Sequence, residues 1–384
     1  MTVSFSDRAA ARGVVLLSAL LMSTAAFATS DAKKVADDIV ALVQARDGGQ
    51  ASYGSATASG DVVTVSNFKI LSKHNGQVTI PAIVVTSPVD RQPGGFTAAT
   101  IAFDGGQVLK GDNTMNWTTG IAKDAVVPTP EEIAKDIKLT PFSHLGVSAI
   151  AATTKKSQTE PVTVAAVSID LSNVVVGTPD DVKIAVTGIS VPQGAIATNA
   201  QAKAMLDELG YQSLLLNFNL DGGYDAAKQS LAIRQVEIDG KDMGTFTITG
   251  SFGGLPREKI QSSGAMQNVA DTVTIENAKV SFVNAGIAER LLDMQAKSMG
   301  TNRNSLAMML PAALPLAFTQ LNITDTAFQQ KTIDAVTAFL KEPKSFTVSL
   351  NPATPLLLKE VRQQAMTTPG SLPSLLAIDI QANK

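Results

Sequence analysis

The chain has 384 residues, of which 45% are hydrophobic, 5% aromatic and 17% charged, with no cysteine and two histidines. The apolar fraction excludes a disordered chain, and 31 basic against 34 acidic residues exclude a polycationic nucleic-acid binder. The missing cysteines exclude disulfides, thiolate zinc sites, iron–sulfur clusters and cysteine nucleophiles, and two histidines leave little room for a histidine-based metal site or triad.

The first segment reads as an export signal. Arg8 and Arg12 precede the apolar run Gly13 to Met22, and Ala26-Phe27-Ala28 supplies a small-x-small cleavage pattern. Residues 1–28 are therefore expected to form a signal peptide cleaved after Ala28. The expected product is a periplasmic protein with no later transmembrane span. Residues 29–50 hold one helix, Asp31 to Arg46, with Val35, Ile39, Leu42 and Val43 on one face and Gly48-Gly49 ending it.

Residues 51–270 read as a β-rich domain, with turns at Asn75-Gly76, Pro93-Gly94-Gly95 and Asp221-Gly222-Gly223. One inserted helix, 199–209, is capped by Thr198 or Asn199 and closed by Gly210. A weak internal repeat places apolar residues at i, i+3 and i+5. Its copies are Val65/Phe68/Ile70, Ala98/Ile101/Phe103, Val164/Val167/Ile169, Ile233/Val236/Ile238 and Ile275/Ala278/Val280. In a straight strand i and i+3 point to opposite faces, so each copy needs a bulge to become amphipathic.

Residues 271–384 form a strand followed by a helical region that closes on the sheet. Helices are expected at Ala285 to Met299, through Ser305 to Gln320, from Asp325 to Lys341 and from Leu356 to Met366. Strands are expected at Ser345 to Leu350 and Leu376 to Ala382. The fold class is α+β, a predominantly antiparallel curved sheet covered by C-terminal helices.

Catalytic and metal patterns fail on spacing. Asn217 to Asp225 has the alternating oxygen donors of a calcium loop, but Lys228 stands where a bidentate Glu is needed, so a strand entering a hairpin explains it better. Ser66-x-x-Lys69 lies in a predicted strand, where its two side chains diverge. His74 and His144 read as unpaired loop histidines, and Trp117 as a core anchor. Asp37-Asp38, Glu131-Glu132 and Glu237/Asp239 read as solvated faces and helix starts. No metal site and no cofactor is expected.

The uncharged run Leu306 to Leu321 is the most unusual segment. It reads as a buried, proline-kinked core helix. The alternatives are a membrane-surface contact and an apolar ligand groove lined by Met294, Met299, Met308, Met309, Leu310, Leu314 and Phe318, because methionine suits adaptable apolar surfaces.

Three stretches resemble a family of exported alphaproteobacterial proteins of unknown function: Tyr53 to Val65, the hairpin Leu231 to Gly250, and a C-terminal run from Ala338 through Pro343, Asn351 and Pro355 to Asn383. The recurring strand pattern is more loosely similar to AsmA-like envelope proteins. That resemblance implies a long sheet with an apolar inner face and a link to lipid traffic. The expected function is a non-enzymatic periplasmic protein that binds an apolar, lipid-like ligand or serves envelope organisation, with an envelope protein as a possible partner. The alternatives are an interaction scaffold using exposed sheet edges and a carboxylate-based hydrolase.

Overall fold

The computed structural model describes residues 31–73, 75–154, 160–175, 177–196, 200–258 and 271–384. The export segment with its cleavage site, His74, and the caps Thr198 and Asn199 lie outside the described residues.

Helix α1 (Ala32–Asp47) starts where the Asp31 carboxylate accepts hydrogen bonds from the Lys33 and Lys34 amides, and it stops at Gly48 in the left-handed region. The first part of the sheet follows as β1 (Gln50–Ser52), β2 (Ser55–Ser59), β3 (Val62–Leu71), β4 (Gly76–Thr86), β5 (Val89–Asp90), β6 (Phe96–Ala102), β7 (Gln107–Lys110), β8 (Asn113–Asn116) and β9 (Thr119–Val127). A short helix, α2 (Pro130–Ala134), leads to the long strands β10 (His144–Thr154), β11 (Val162–Val175) and β12 (Thr178–Pro192). Helices α3 (Gln193–Ile196) and α4 (Ala200–Leu209) interrupt the sheet, and Gly210 follows α4 at φ 75°. Then come β13 (Ser213–Asp225), β14 (Ser230–Gly240), β15 (Gly244–Gly253) and β16 (Thr274–Asn284). The last third holds α5 (Ile287–Ser298), α6 (Arg303–Gln320), α7 (Thr326–Lys341), β17 (Ser345–Leu350), β18 (Leu356–Leu357), α8 (Leu358–Thr367), α9 (Leu372–Leu375) and β19 (Ile378–Ala382).

Every ladder is antiparallel. β2 pairs β3 and β3 pairs β4; β4 pairs β6 and β7, which pair β9 and β8, and both of those pair β10. From β10 to β17 each strand pairs the next in sequence, and β19 closes on β17. The fold is thus α+β, one large antiparallel sheet with helices at its C-terminal end. The expected helix from Leu356 begins instead as two residues of strand pairing β16, and the expected last strand loses its first residues to Ala377, at φ 45°.

The i, i+3, i+5 spacing has a structural counterpart. Between Ile233 and Val236 the register shifts by one residue, and a second shift faces Ile275 to Asn277. Asn67, between Val65 and Phe68, is left-handed at φ 55°. Asp124, at φ 48°, lies between the partners of Ala98 and Thr100, and Gly188, at φ 62°, packs on Ala165 inside the third copy. Each three-residue step therefore crosses one irregular position, which returns the apolar side chains to one face.

Cross-strand partners share a face, so the registers assemble the strands into rows. One row runs Ala58, Val63, Val85, Ile101, Ala122, Leu145, Ile169, Ile184, Leu220, Val236, Ile248, Val280, Val348, Ile380. Beside it lies Val147, Val167, Val186, Phe218, Ile238, Phe246, Phe282, Phe346. The opposite face carries rows such as Lys123, His144, Asp170, Lys183, Asp221, Gln235. One side of the whole sheet is apolar and the other polar.

The core is concentrated near one end of this apolar face. Val35, Ala36 and Ile39 of α1 bury Val63, Val65, Phe68, Val85, Phe96, Ala98, Ala125 and Val127. At the other end α7 lies on β17 and β19, and Phe339 sets its ring edge-on to Phe282 and Phe346 at 6.3 and 5.5 Å.

Candidate apolar binding face

Between the two helical covers the described residues lay no second layer on the apolar face. Among the described residues of β10 to β15, the one buried apolar side chain is Pro192, at the very end of β12. Ile238 is 46%, Phe246 39% and Val280 37% exposed, although all three stand in the apolar rows. An antiparallel sheet ordinarily covers its apolar face. Here, among the described residues, α1 and α7 cover the ends and leave β11 to β15 bare.

Two lips border the bare strands. On one side Leu206, Leu209 and Tyr211 pack with Leu214, Met243, Leu291 and Met294. On the other, Leu255 and Val273 pack with Tyr224, Leu231 and Phe252. Beneath this second lip lies a cavity of about 380 Å³, lined by Val182, Leu220, Tyr224, Leu231, Ile233 and Val236 among others. Gly222 supplies depth: it occupies the row position between Val182 and Ile233, where any side chain would fill the space.

Asp180, Asp221 and Arg257 are the charged residues among those lining the cavity. Arg257 is ion-paired with Asp180, both largely buried, and its guanidinium sits 4.8 Å from the Tyr224 ring centroid. The Tyr224 hydroxyl donates to the Leu255 carbonyl at 2.9 Å, and burial holds the phenol above its ordinary range. Asp221 also borders the cavity, and its carboxylate, on the polar face, accepts from Arg234 Nε at 2.6 Å, while the same guanidinium donates to Asp181 at 2.6 Å. Each carboxylate at the cavity is thus held by an arginine, an arrangement that neutralises a rim and does not set up a pair of acid and base.

The polar face accounts for the remaining chemical candidates. His144 is corrected: it opens β10, and its Nδ1 lies 2.7 Å from Asp170 Oδ1 on the adjacent strand. The strand, rather than a loop, brings the carboxylate 26 residues away to its side. Glu237 pairs with Asn219 and Gln235, and Asp239 with Asn217 and Thr245. Asn217 to Asp225 is β13, Ser66 and Lys69 lie in β3, and no cluster of three metal-type ligands occurs among the described residues. Glu132 starts a helix, as its position implies, but it is buried rather than solvated. It receives Arg91 Nη1 and Nη2 at 3.0 and 2.9 Å and closes a capping box with Thr129.

The seven residues expected to line a groove do not converge. Met294 faces the Leu206–Tyr211 cluster, Leu314 is half-buried and Phe318 is buried. Met299, Met308, Met309 and Leu310 face outward. The expectation of a core helix also needs correction: α6 buries Leu306, Pro311 and Phe318 and leaves its other side exposed. Sequence reasoning placed the groove on the helices because their composition was unusual. The cavity lies on the sheet, and its signal was the apolar spacing: Ile233, Val236 and Ile238 form one repeat copy.

Residues 237–383 match the sequence model of a family described as "Uncharacterized protein". The match begins within β14 and takes in the C-terminal part of the apolar face with the helices that end it. Comparison with curated proteins gives no match.

Proposed function

We propose that the bare apolar face holds the acyl chain of an amphipathic lipid, and that the protein is an exported, non-enzymatic carrier or envelope component. The observation that carries this reading is the run of five strands, β11 to β15, whose inward rows are apolar and uncovered by any described helix. Four strand spacings of about 4.8 Å span ~19 Å. One leaflet of a bilayer's hydrocarbon is about 15 Å deep, so an acyl chain fits across the rows. Apolar lining with few polar groups at one rim is the usual form of such a site. The rim chemistry at Asp180 and Asp221 does not favour the hydrolase alternative.

Native mass spectrometry and organic extraction of the purified protein test the reading directly, and an acyl-chain mass adduct is expected. A fluorescent fatty-acid probe should lose at least about tenfold in affinity with Ile238→Asp or Val236→Asp, since a carboxylate in an apolar site costs several times the ~1.4 kcal/mol of a tenfold change. Thr247→Asp, on the polar face beside Glu237, should leave binding unchanged. Extraction of no lipid together with equal probe binding by all variants would overturn the proposal.

A further inference from the structure

The bare rows lead into the cavity beneath the second lip. Leu220 and Val236 belong to the long apolar row and also line the cavity, and the adjacent row, Val182, Gly222 and Ile233, continues along it. The polar side chains of the lining already have partners. Asp180 is paired with Arg257, and Asp221 with Arg234 and Lys183. The Tyr224 hydroxyl donates to the Leu255 carbonyl, and Thr178 is engaged as well. A carboxylate, phosphate or hydroxyl entering here would lose its water and gain no new partner among the described residues, which is unfavourable, whereas hydrocarbon gains by burial.

We propose that the cavity receives the methyl end of the acyl chain and that the polar head lies outside it, toward the open rows. The inference rests on the acyl-chain reading and adds the direction of the chain and the residue that limits its depth. That residue is Gly222. A Cβ there meets only the Ala232 carbonyl oxygen, at 3.6 Å, an ordinary contact. The register shifts beside it, but its φ lies outside the left-handed region, so the bulge does not require a glycine. Its neighbour Gly223 differs, since a Cβ there would collide with the Arg234 guanidinium. Glycine weakens a strand interior and is found where another molecule approaches the backbone closely. At Gly222 the space left open is the cavity, and the group that fits it is an unsubstituted chain end.

Two brominated probes distinguish the ends of the chain. Tyr224→Trp puts an indole at the cavity, where its ring keeps a face for Arg257. Trp117 packs with the α1 core and supplies a constant background. Hexadecanoic acid brominated at its terminal carbon should quench the new emission, and the acid brominated beside the carboxylate should not. With Tyr224 in place, Gly222→Val should weaken hexadecanoic acid about tenfold in displacement of a fluorescent fatty-acid probe. The valine takes the room of about two methylenes, each worth about fourfold. Gly222→Ala should fall between, and urea unfolding should show both variants at least as stable as the parent. Quenching no stronger from the terminal bromine would overturn the proposal, as would unchanged binding by both Gly222 variants. Failure of hexadecanoic acid to bind the parent protein would remove the acyl-chain reading and this inference with it.

Discussion

Glu132 shows how a residue that looks solvent-facing in sequence becomes structural. Its carboxylate is received by both terminal nitrogens of Arg91, 41 positions away, and by the Thr129 amide. The Arg91 guanidinium, opposed by burial and helped by the Thr129 amide, holds its carboxyl below the ordinary value near 4.5. A depressed carboxylate stabilises the fold fully above its unfolded value. That contribution is lost as pH falls below 4.5 and through the folded value. Glu132→Gln should cost about 2–3 kcal/mol at neutral pH, and urea unfolding of the variant should lose the part of the acid sensitivity that begins below that point. Trp117 offers a second residue-scale test. Its Nε1 donates to the Phe103 carbonyl at 2.7 Å, its ring meets Phe103 edge-on at 6.3 Å, and a Cβ on Gly106 would lie 1.8 Å from its Cζ2. Gly106→Ala should therefore displace the indole, cost about 1–3 kcal/mol as overpacking does, and shift the emission of this single tryptophan to the red.

Elements were legible where local chemistry decides them. Asp31 and Asp325 cap their helices through carboxylate acceptors, and Gly48 and Gly210 end theirs in the left-handed region. These are interactions within a few residues, which the sequence displays directly. The bulged strands were legible for the same reason, since three-residue apolar spacing has one economical explanation in a sheet. Helix α6 was misread because composition tells how apolar a helix is and not how many of its sides find a partner. Among the described elements, α5 and α7 make the main packing against it. Ile238→Asp disrupts more than one position, because the side chain is one of a row, and the row, not the residue, makes the surface.

At the scale of the whole molecule, the sheet is well packed at its ends and thin in its middle. Strands β3, β4, β6 and β9 share a buried core with α1, whereas β10 to β15 have none among their described residues. Hydrogen exchange should follow that distribution rather than hydrogen bonding, which is continuous throughout. Amides of β11 to β14 should exchange faster than those of β3 and β4, and a bound acyl chain should slow β11 to β14 selectively. Equal protection across the sheet in the free protein would contradict the thin middle. The sequence by itself determined the alternation, the bulges, the caps and the absence of cysteine chemistry, because each is settled by neighbours along the chain. The tertiary structure alone decided that His144 meets Asp170, that Glu132 meets Arg91, and that no described helix covers the apolar face of β11 to β15. Those depend on register and on where helices of limited length come to rest, and both are set by contacts between residues far apart in the chain.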